Sequence, residues 1–261
     1  MIVTVANRKG GVGKTTTSVF VAHALARATG TPCALVDADP QGSVTRWARV
    51  AAAAGTPLGV EVRQQLPARP RSLAPTVVID TPPDDSELVA AAVELADIVL
   101  VPTSASALDL SVVTSTLDLA ARVGTPSAVL LNCTRRTKSV ATAEQTLKDA
   151  GARLLQTHIP LREALAMAFG RPVRELHGFD LAVAEVLGAL PEQPYSVEAV
   201  RRRSADRSRT GAHQPISLRP HLSTRRDDRR APQLSLEPGA IGLGDDEIIE
   251  RLKVSVARLA R

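Results

Sequence analysis

Met1-Ile2-Val3-Thr4-Val5-Ala6-Asn7-Arg8-Lys9-Gly10-Gly11-Val12-Gly13-Lys14-Thr15-Thr16 decides how this chain reads. A short apolar, β-branched run enters a glycine-rich loop, which gives way to Lys-Thr-Thr and an Ala-rich stretch. This is a strand, a phosphate-binding loop and a helix. The glycines let backbone N–H groups turn inward on phosphate oxygens, and the helix N-terminus adds partial positive charge. In such a loop Gly10, Gly11, Val12, Gly13 and Thr16 line the phosphates, Lys14 reaches the β- and γ-phosphates, and the Thr15 hydroxyl ligates Mg²⁺. The general pattern asks for glycine where this chain has Arg8. It also gains a second lysine, Lys9, at the loop's start.

Residues 17–29 carry apolar side chains on every face, so the helix after the loop is expected to lie buried against a sheet, ending at Gly30. Short apolar strands are expected at 2–6, 33–37, 76–80, 97–101, 127–132 and 153–158. Helices are expected near 14–29, 43–54, 86–95, 108–123, 139–150, 161–169 and 178–189. Continuous apolar strands alternating with helices predict an α/β fold, a mainly parallel twisted sheet covered on both faces. Ligands of such sheets bind beyond the carboxyl ends of the strands, so the loops after residues 6, 37, 80, 101 and 132 should converge.

Charge and composition change along the chain. Residues 1–190 hold 18 Lys/Arg and 17 Asp/Glu, a net of +1, whereas 191–261 hold 14 and 10, a net of +4. The expected organisation is one globular domain over 1–190, an Arg/Pro/Ser-rich disordered linker over 191–244, and a short amphipathic helix over 245–261. With one Trp, one Tyr and three Phe, the core must be built from Ala, Val, Leu and Ile. Cys33 and Cys133 fit neither a disulfide framework nor a metal site by spacing, and are expected to be buried free thiols. No secretory leader or bilayer-length apolar run is present, so a cytoplasmic protein is expected.

Two further loops carry carboxylates. Val36-Asp37-Ala38-Asp39-Pro40-Gln41-Gly42 follows the second strand, and its acids suit addressing Mg²⁺ and orienting an attacking water. A solvated Asp/Pro/Gly turn is the alternative. Val78-Ile79-Asp80-Thr81-Pro82-Pro83 closes the third strand on an acid, the placement of a Mg²⁺-addressing carboxylate beside a phosphate loop.

Together these three loops resemble the ParA/MinD family of deviant Walker A ATPases, over residues 1 to about 190. The family's Lys-Gly-Gly-x-Gly-Lys-Thr is matched at 9–15, its first switch at 37–42, and its Walker B and second switch at 80–83. The resemblance implies ATP and Mg²⁺ as ligands, with Lys9, Lys14 and Asp39 as the catalytic set. Thr15, Asp37 and Asp80 would form the metal side. It further implies that Lys9 reaches phosphates bound by a second copy of the chain, making an ATP-dependent homodimer. Asn132 and Pro160 resemble the family's base-contacting positions, with a capping role as the alternative for Asn132.

Pro-Gln-Gly after Asp39 and Thr-Pro-Pro after Asp80 resemble the ParA partitioning branch more than the MinD branch. That implies nonspecific DNA binding, a nucleoid-associated location, a ParB-like or other ATPase-stimulating partner, and plasmid or chromosome partitioning. Arg135, Arg136, Lys138, Arg162, Arg171 and Arg174 are the candidate DNA contacts, with solvated surface charge as the alternative. Arg201-Arg202-Arg203 and Arg225-Arg226 add basic clusters in the tail. The phosphate-loop strand begins at the first residues, so an operator-reading domain ahead of it is not expected. A MinD-like membrane role is disfavoured because 245–261 lacks Trp and Phe and opens on Asp245-Asp246-Glu247. An accessory ATPase of conjugative transfer uses the same switch chemistry and stays open. An iron-protein role is disfavoured, since neither cysteine lies in the second switch, and an ATP-dependent ligase sharing the loop stays open.

Overall fold

In the computed structural model, residues 1–189 are described apart from 84–85 and 136–137. The expected linker, the 245–261 helix, the tail arginines and Arg136 lie outside the described residues.

Four strands begin as apolar runs with every residue buried: β1 (Ile2–Val5), β2 (Cys33–Asp37), β4 (Thr76–Asp80) and β5 (Ile98–Thr103). With β3 (Glu61–Gln64) and β6 (Ser127–Leu131) they form one sheet ordered β3-β2-β4-β1-β5-β6. All pairings are parallel. Helices α1 (Lys14–Thr29), α2 (Ser43–Ala53) and α7 (Phe179–Ala189) share a core cluster with one face. Helices α3 (Glu87–Leu95), α4 (Ala107–Val123) and α5 (Lys138–Asp149) contribute to the clusters on the other.

Alternation along each strand explains both layers. Ile98 and Leu100 of β5 join the α1 side, whereas Val99 and Val101 join the α4 side. The scarce aromatics are concentrated on the first side. Phe20 stacks on Phe179 with centroids 5.2 Å apart and meets Trp47 edge-on at 6.5 Å, and Trp47 in turn meets Phe169 at 5.7 Å. The Trp47 indole N–H is not wasted by burial, since it donates to the Arg171 carbonyl at 2.9 Å. Burying side chains of this size contributes about 2–3 kcal/mol each.

Three expectations require correction. The strand expected at 153–158 is not one; only an isolated bridge joins Leu154 to Val129. The amides of Gln156 and Thr157 donate instead to the Glu185 carboxylate at 2.6 and 2.8 Å, so pairing with β6 breaks there and resumes only at Ile159, whose amide donates to the Leu131 carbonyl at 2.9 Å. The sixth strand is instead β3, Glu-Val-Arg-Gln, whose polar exposed edge position hides it from apolar-run reading. The helix expected at 161–169 shrinks to α6 (Glu163–Ala166). Cys33 is buried as expected, but Cys133 is exposed, because the chain leaves β6 through a left-handed residue there, with φ 53°.

Glu185 has a measurable role in this arrangement. Burial raises its carboxyl, but the Thr157 hydroxyl and the two amides outweigh that and hold it below its ordinary value. A depressed carboxyl stabilises the fold above the ordinary value near 4.5, and that stability is lost as pH falls. Glu185→Gln is therefore expected to cost about 1–2 kcal/mol at neutral pH in denaturant unfolding. The gap to wild type should close in acid; a gap independent of pH contradicts the clamp.

Candidate functional site

Strand β1 lies between β4 and β5, and the loop leaving it runs along the carboxyl edge of both. Asn7 anchors the entry, donating from Nδ2 to the Pro102 carbonyl at 2.9 Å and accepting the Lys9 amide at 2.9 Å. The loop then turns through Gly11 (φ 79°) and Gly13 (φ 85°), conformations that favour glycine. At Gly13 space is as restrictive as φ, because a Cβ there would meet Asn132 Nδ2 at 2.6 Å. Helix α1 starts immediately, at Lys14.

Lys14 is buried, and its ammonium turns back to donate to the Lys9 carbonyl at 2.9 Å. The Thr15 hydroxyl donates to Asp80 Oδ2 at 2.9 Å, and Ser18 Oγ lies 2.8 Å from Asp80 Oδ1. Asp80 has no solvent exposure. Burial pushes its carboxyl up to about 7; the Ser18 and Thr15 hydroxyls and Lys14 pull it down, while Asp37 pushes it further up. Ser18 Oγ also lies 3.0 Å from the Lys14 carbonyl. One hydroxyl proton cannot be fully donated to both oxygens.

Asp37 and Asp80 face each other in the β2–β4 register. Asp37 Oδ2 takes both the amide and the hydroxyl of Thr45, each at 2.7 Å, which ties the first turn of α2 to the strand. Its Oδ1 is buried with no hydrogen-bond partner. An unpartnered carboxylate oxygen beside a second carboxylate and the Thr15 hydroxyl is the donor set that Mg²⁺ takes alongside phosphates and water. Among the described residues no three His, Cys, Asp or Glu side chains form an all-protein metal cage. Mg²⁺ usually needs none, since one or two carboxylates with phosphates suffice.

Asp39 is largely buried, with Oδ1 accepting the Gln41 amide at 2.9 Å in an Asp turn. Thr81, in the expected second switch, donates its hydroxyl to the Val5 carbonyl at 2.9 Å, and Pro83 approaches Gly10. Lys9 pairs with Asp109 of α4 within the same chain. Asp109 is also held by the Ser104 hydroxyl, and its amide is capped by Ser106 at 3.1 Å. Burial raises the Asp109 carboxyl, and Lys9 with Ser104 more than reverses this, leaving it below the ordinary range.

Asn132 and Pro160 end up on different partners. The Asn132 amide sits behind the phosphate loop, while Pro160 bridges Thr134 and lines a groove of about 590 Å³ with Arg135, Lys138, Glu144 and His158. Arg135, Lys138, Arg162, Arg171 and Arg174 are all exposed. They are not gathered in one groove: Arg135 and Lys138 share the one above, whereas Arg174 lines another of about 530 Å³ with Arg27 and His177. The residues that sequence reading overlooked are Asp109, Ser18 and Thr45. Ser106-x-x-Asp109 just after β5 carried a capping signature that pointed to the first of them.

The family model described as the CobQ/CobB/MinD/ParA nucleotide binding domain matches residues 3–173. A carboxysome distribution protein A of Gloeobacter kilaueensis is 41% identical over 175 residues, covering 64% of this chain and 77% of that protein. Protein ParA of Rhizobium radiobacter is 32% identical over 130 residues, 46% of this chain and 56% of its own length. A plasmid partition protein of Borrelia burgdorferi, solved with AMPPNP, superposes with a TM-score of 0.56 at 17% identity. That superposition covers 72% of this chain and 96% of the other.

The two loop glycines are expected to respond differently to alanine. Gly11 has open space at its Cβ position, so Gly11→Ala should cost only the left-handed strain, about 1 kcal/mol. Gly13→Ala adds the collision with Asn132 and should cost about 2–4 kcal/mol in urea unfolding. Equal losses would show that Asn132 yields freely.

Proposed function

The chain belongs to the CobQ/CobB/MinD/ParA nucleotide-binding family, and from that premise we propose a ParA-like ATPase switch that pairs on ATP and releases on hydrolysis. The observation that carries this reading is the buried, unpartnered Asp37 Oδ1 beside Asp80 and Thr15, at the mouth of a lysine-bearing phosphate loop. Lys14 leaves the Lys9 carbonyl to bind the β- and γ-phosphates of the chain's own ATP. Thr15, Asp37 and Asp80 hold Mg²⁺, which when bound neutralises phosphate charge. Asp39 orients the attacking water.

In the paired form Lys9 exchanges Asp109 for the phosphates of the facing chain. Two lysines then neutralise each triphosphate, so association requires the γ-phosphate and ends when it is lost. Thr81, bonded to the Val5 carbonyl of β1, and Pro83, which approaches Gly10, suit sensing that loss.

The output is nonspecific DNA binding through exposed arginines and lysines, Arg135, Lys138, Arg162, Arg171 and Arg174 among them. Basic side chains on phosphates give sequence-independent, salt-sensitive binding. With a ParB-like or other stimulating partner, the cycle would move a plasmid or chromosome over the nucleoid, in the cytoplasm. Residues 1–190 form the ATPase domain in this reading, and the basic linker over 191–244 adds to the grip on DNA.

A second reading of the cargo, a protein body, is favoured by the 41% identical relative, which is named for carboxysome distribution. Among the described residues no helix is long and apolar enough to cross a membrane.

Phosphate-release assays combined with DNA co-sedimentation test this reading. DNA binding should require ATP rather than ADP and should weaken steeply with salt. Asp39→Ala should bind ATP, lose most hydrolysis and remain on DNA. Hydrolysis at the parent rate in Asp39→Ala, or DNA binding indifferent to nucleotide, contradicts it.

A further inference from the structure

The Asn132 side chain is almost fully buried at the end of β6, and its hydrogen-bonding capacity is largely taken up by the chain itself. Nδ2 donates to the Val12 carbonyl at 3.1 Å and lies 3.4 Å from Thr17 Oγ1. Oδ1 accepts the Cys133 amide at 3.0 Å. The neighbours fix which way the amide faces, because a carbonyl only accepts and a backbone N–H only donates. Both Nδ2 hydrogens are engaged, and one Oδ1 lone pair remains. The same Nδ2 abuts Gly13 closely enough to leave no room for a Cβ there. The following residue, Cys133, takes a left-handed conformation.

Val12 and Gly13 are the residues whose backbone must hold its curvature for N–H groups to point at phosphate. Thr17 lies in the first turn of α1. A single amide thus braces the loop and the helix it opens, from the side of the site away from the Asp37–Asp80 carboxylates. We propose that Asn132 is a positioning residue for the phosphate loop, setting affinity for the triphosphate itself whatever base is attached. Contact with a base, by contrast, would have to use the one remaining acceptor lone pair, and would matter only for ligands that carry a base.

The two modes separate when the base is removed. Full-length wild type and Asn132→Ala are titrated calorimetrically with Mg²⁺–ATP and with Mg²⁺–tripolyphosphate, which carries the phosphate chain alone. Losing the brace should weaken both ligands by a similar factor, roughly tenfold, as befits one or two lost hydrogen bonds. Circular dichroism of the variant reports whether it is folded. Where Asn132→Ala does not fold, Asn132→Leu keeps the volume beside Gly13 without the polar atoms, and the same equal loss is expected.

Weakened ATP with unchanged tripolyphosphate would assign the amide to the base and overturn the proposal. Unchanged affinity for both overturns it as well. Failure of both variants to fold would make Asn132 a folding residue rather than a positioning one, which again contradicts it. The inference rests on the loop being a phosphate cradle. Wild type that bound neither ligand would refute that reading first, and this one with it.

Discussion

Asp80 ends the strand beside β1 with its carboxylate wholly buried, and it takes hydrogen bonds from Thr15 and sits against Ser18 in the first turns of α1. That one group ties the helix after the phosphate loop to the centre of the sheet. It also carries a cost, since burial pushes its carboxyl up to about 7. Parallel register then places Asp37 directly alongside. Two carboxylates side by side in a buried setting repel one another unless a proton or a cation lies between them.

The loops at this edge are tied to neighbouring elements. Asp37 holds the first turn of α2 through Thr45, and Thr81 holds the loop after β4 to β1. Lys9 is held by Asp109 at the start of α4. Lys9 is only partly buried there, with 30% of its side chain exposed, so the pair is screened and modest in strength. A modest partner suits the second use proposed for Lys9, since phosphate oxygens carry more negative charge than a carboxylate and would displace it.

Much of this was legible in sequence, for physical reasons. A buried parallel strand must be an apolar run, so β1, β2, β4, β5 and β6 announced themselves. The phosphate loop did too, because the left-handed φ values at positions 11 and 13 favour glycine. Strand β3 did not, since an edge strand in water has no need of apolar residues. Nor did the loss of a strand at 153–158, because a single carboxylate twenty-eight residues away in sequence, Glu185, takes the amides a ladder needs. Asp109 was readable as part of the helix start that Ser106 caps, but not as a lysine partner. That pairing depends on how far β1 and β5 carry their loops toward each other, which no local pattern records.

In the proposed switch Lys9 is the residue through which two copies would meet over ATP. The most direct measurement is molar mass by light scattering of the full chain, with Mg²⁺–ATP and with Mg²⁺–ADP, for wild type and Lys9→Ala. The mass should double for wild type with ATP alone, and Lys9→Ala should bind ATP yet stay at the single-chain mass. A Lys9→Ala protein that doubles its mass with ATP as wild type does would contradict the account.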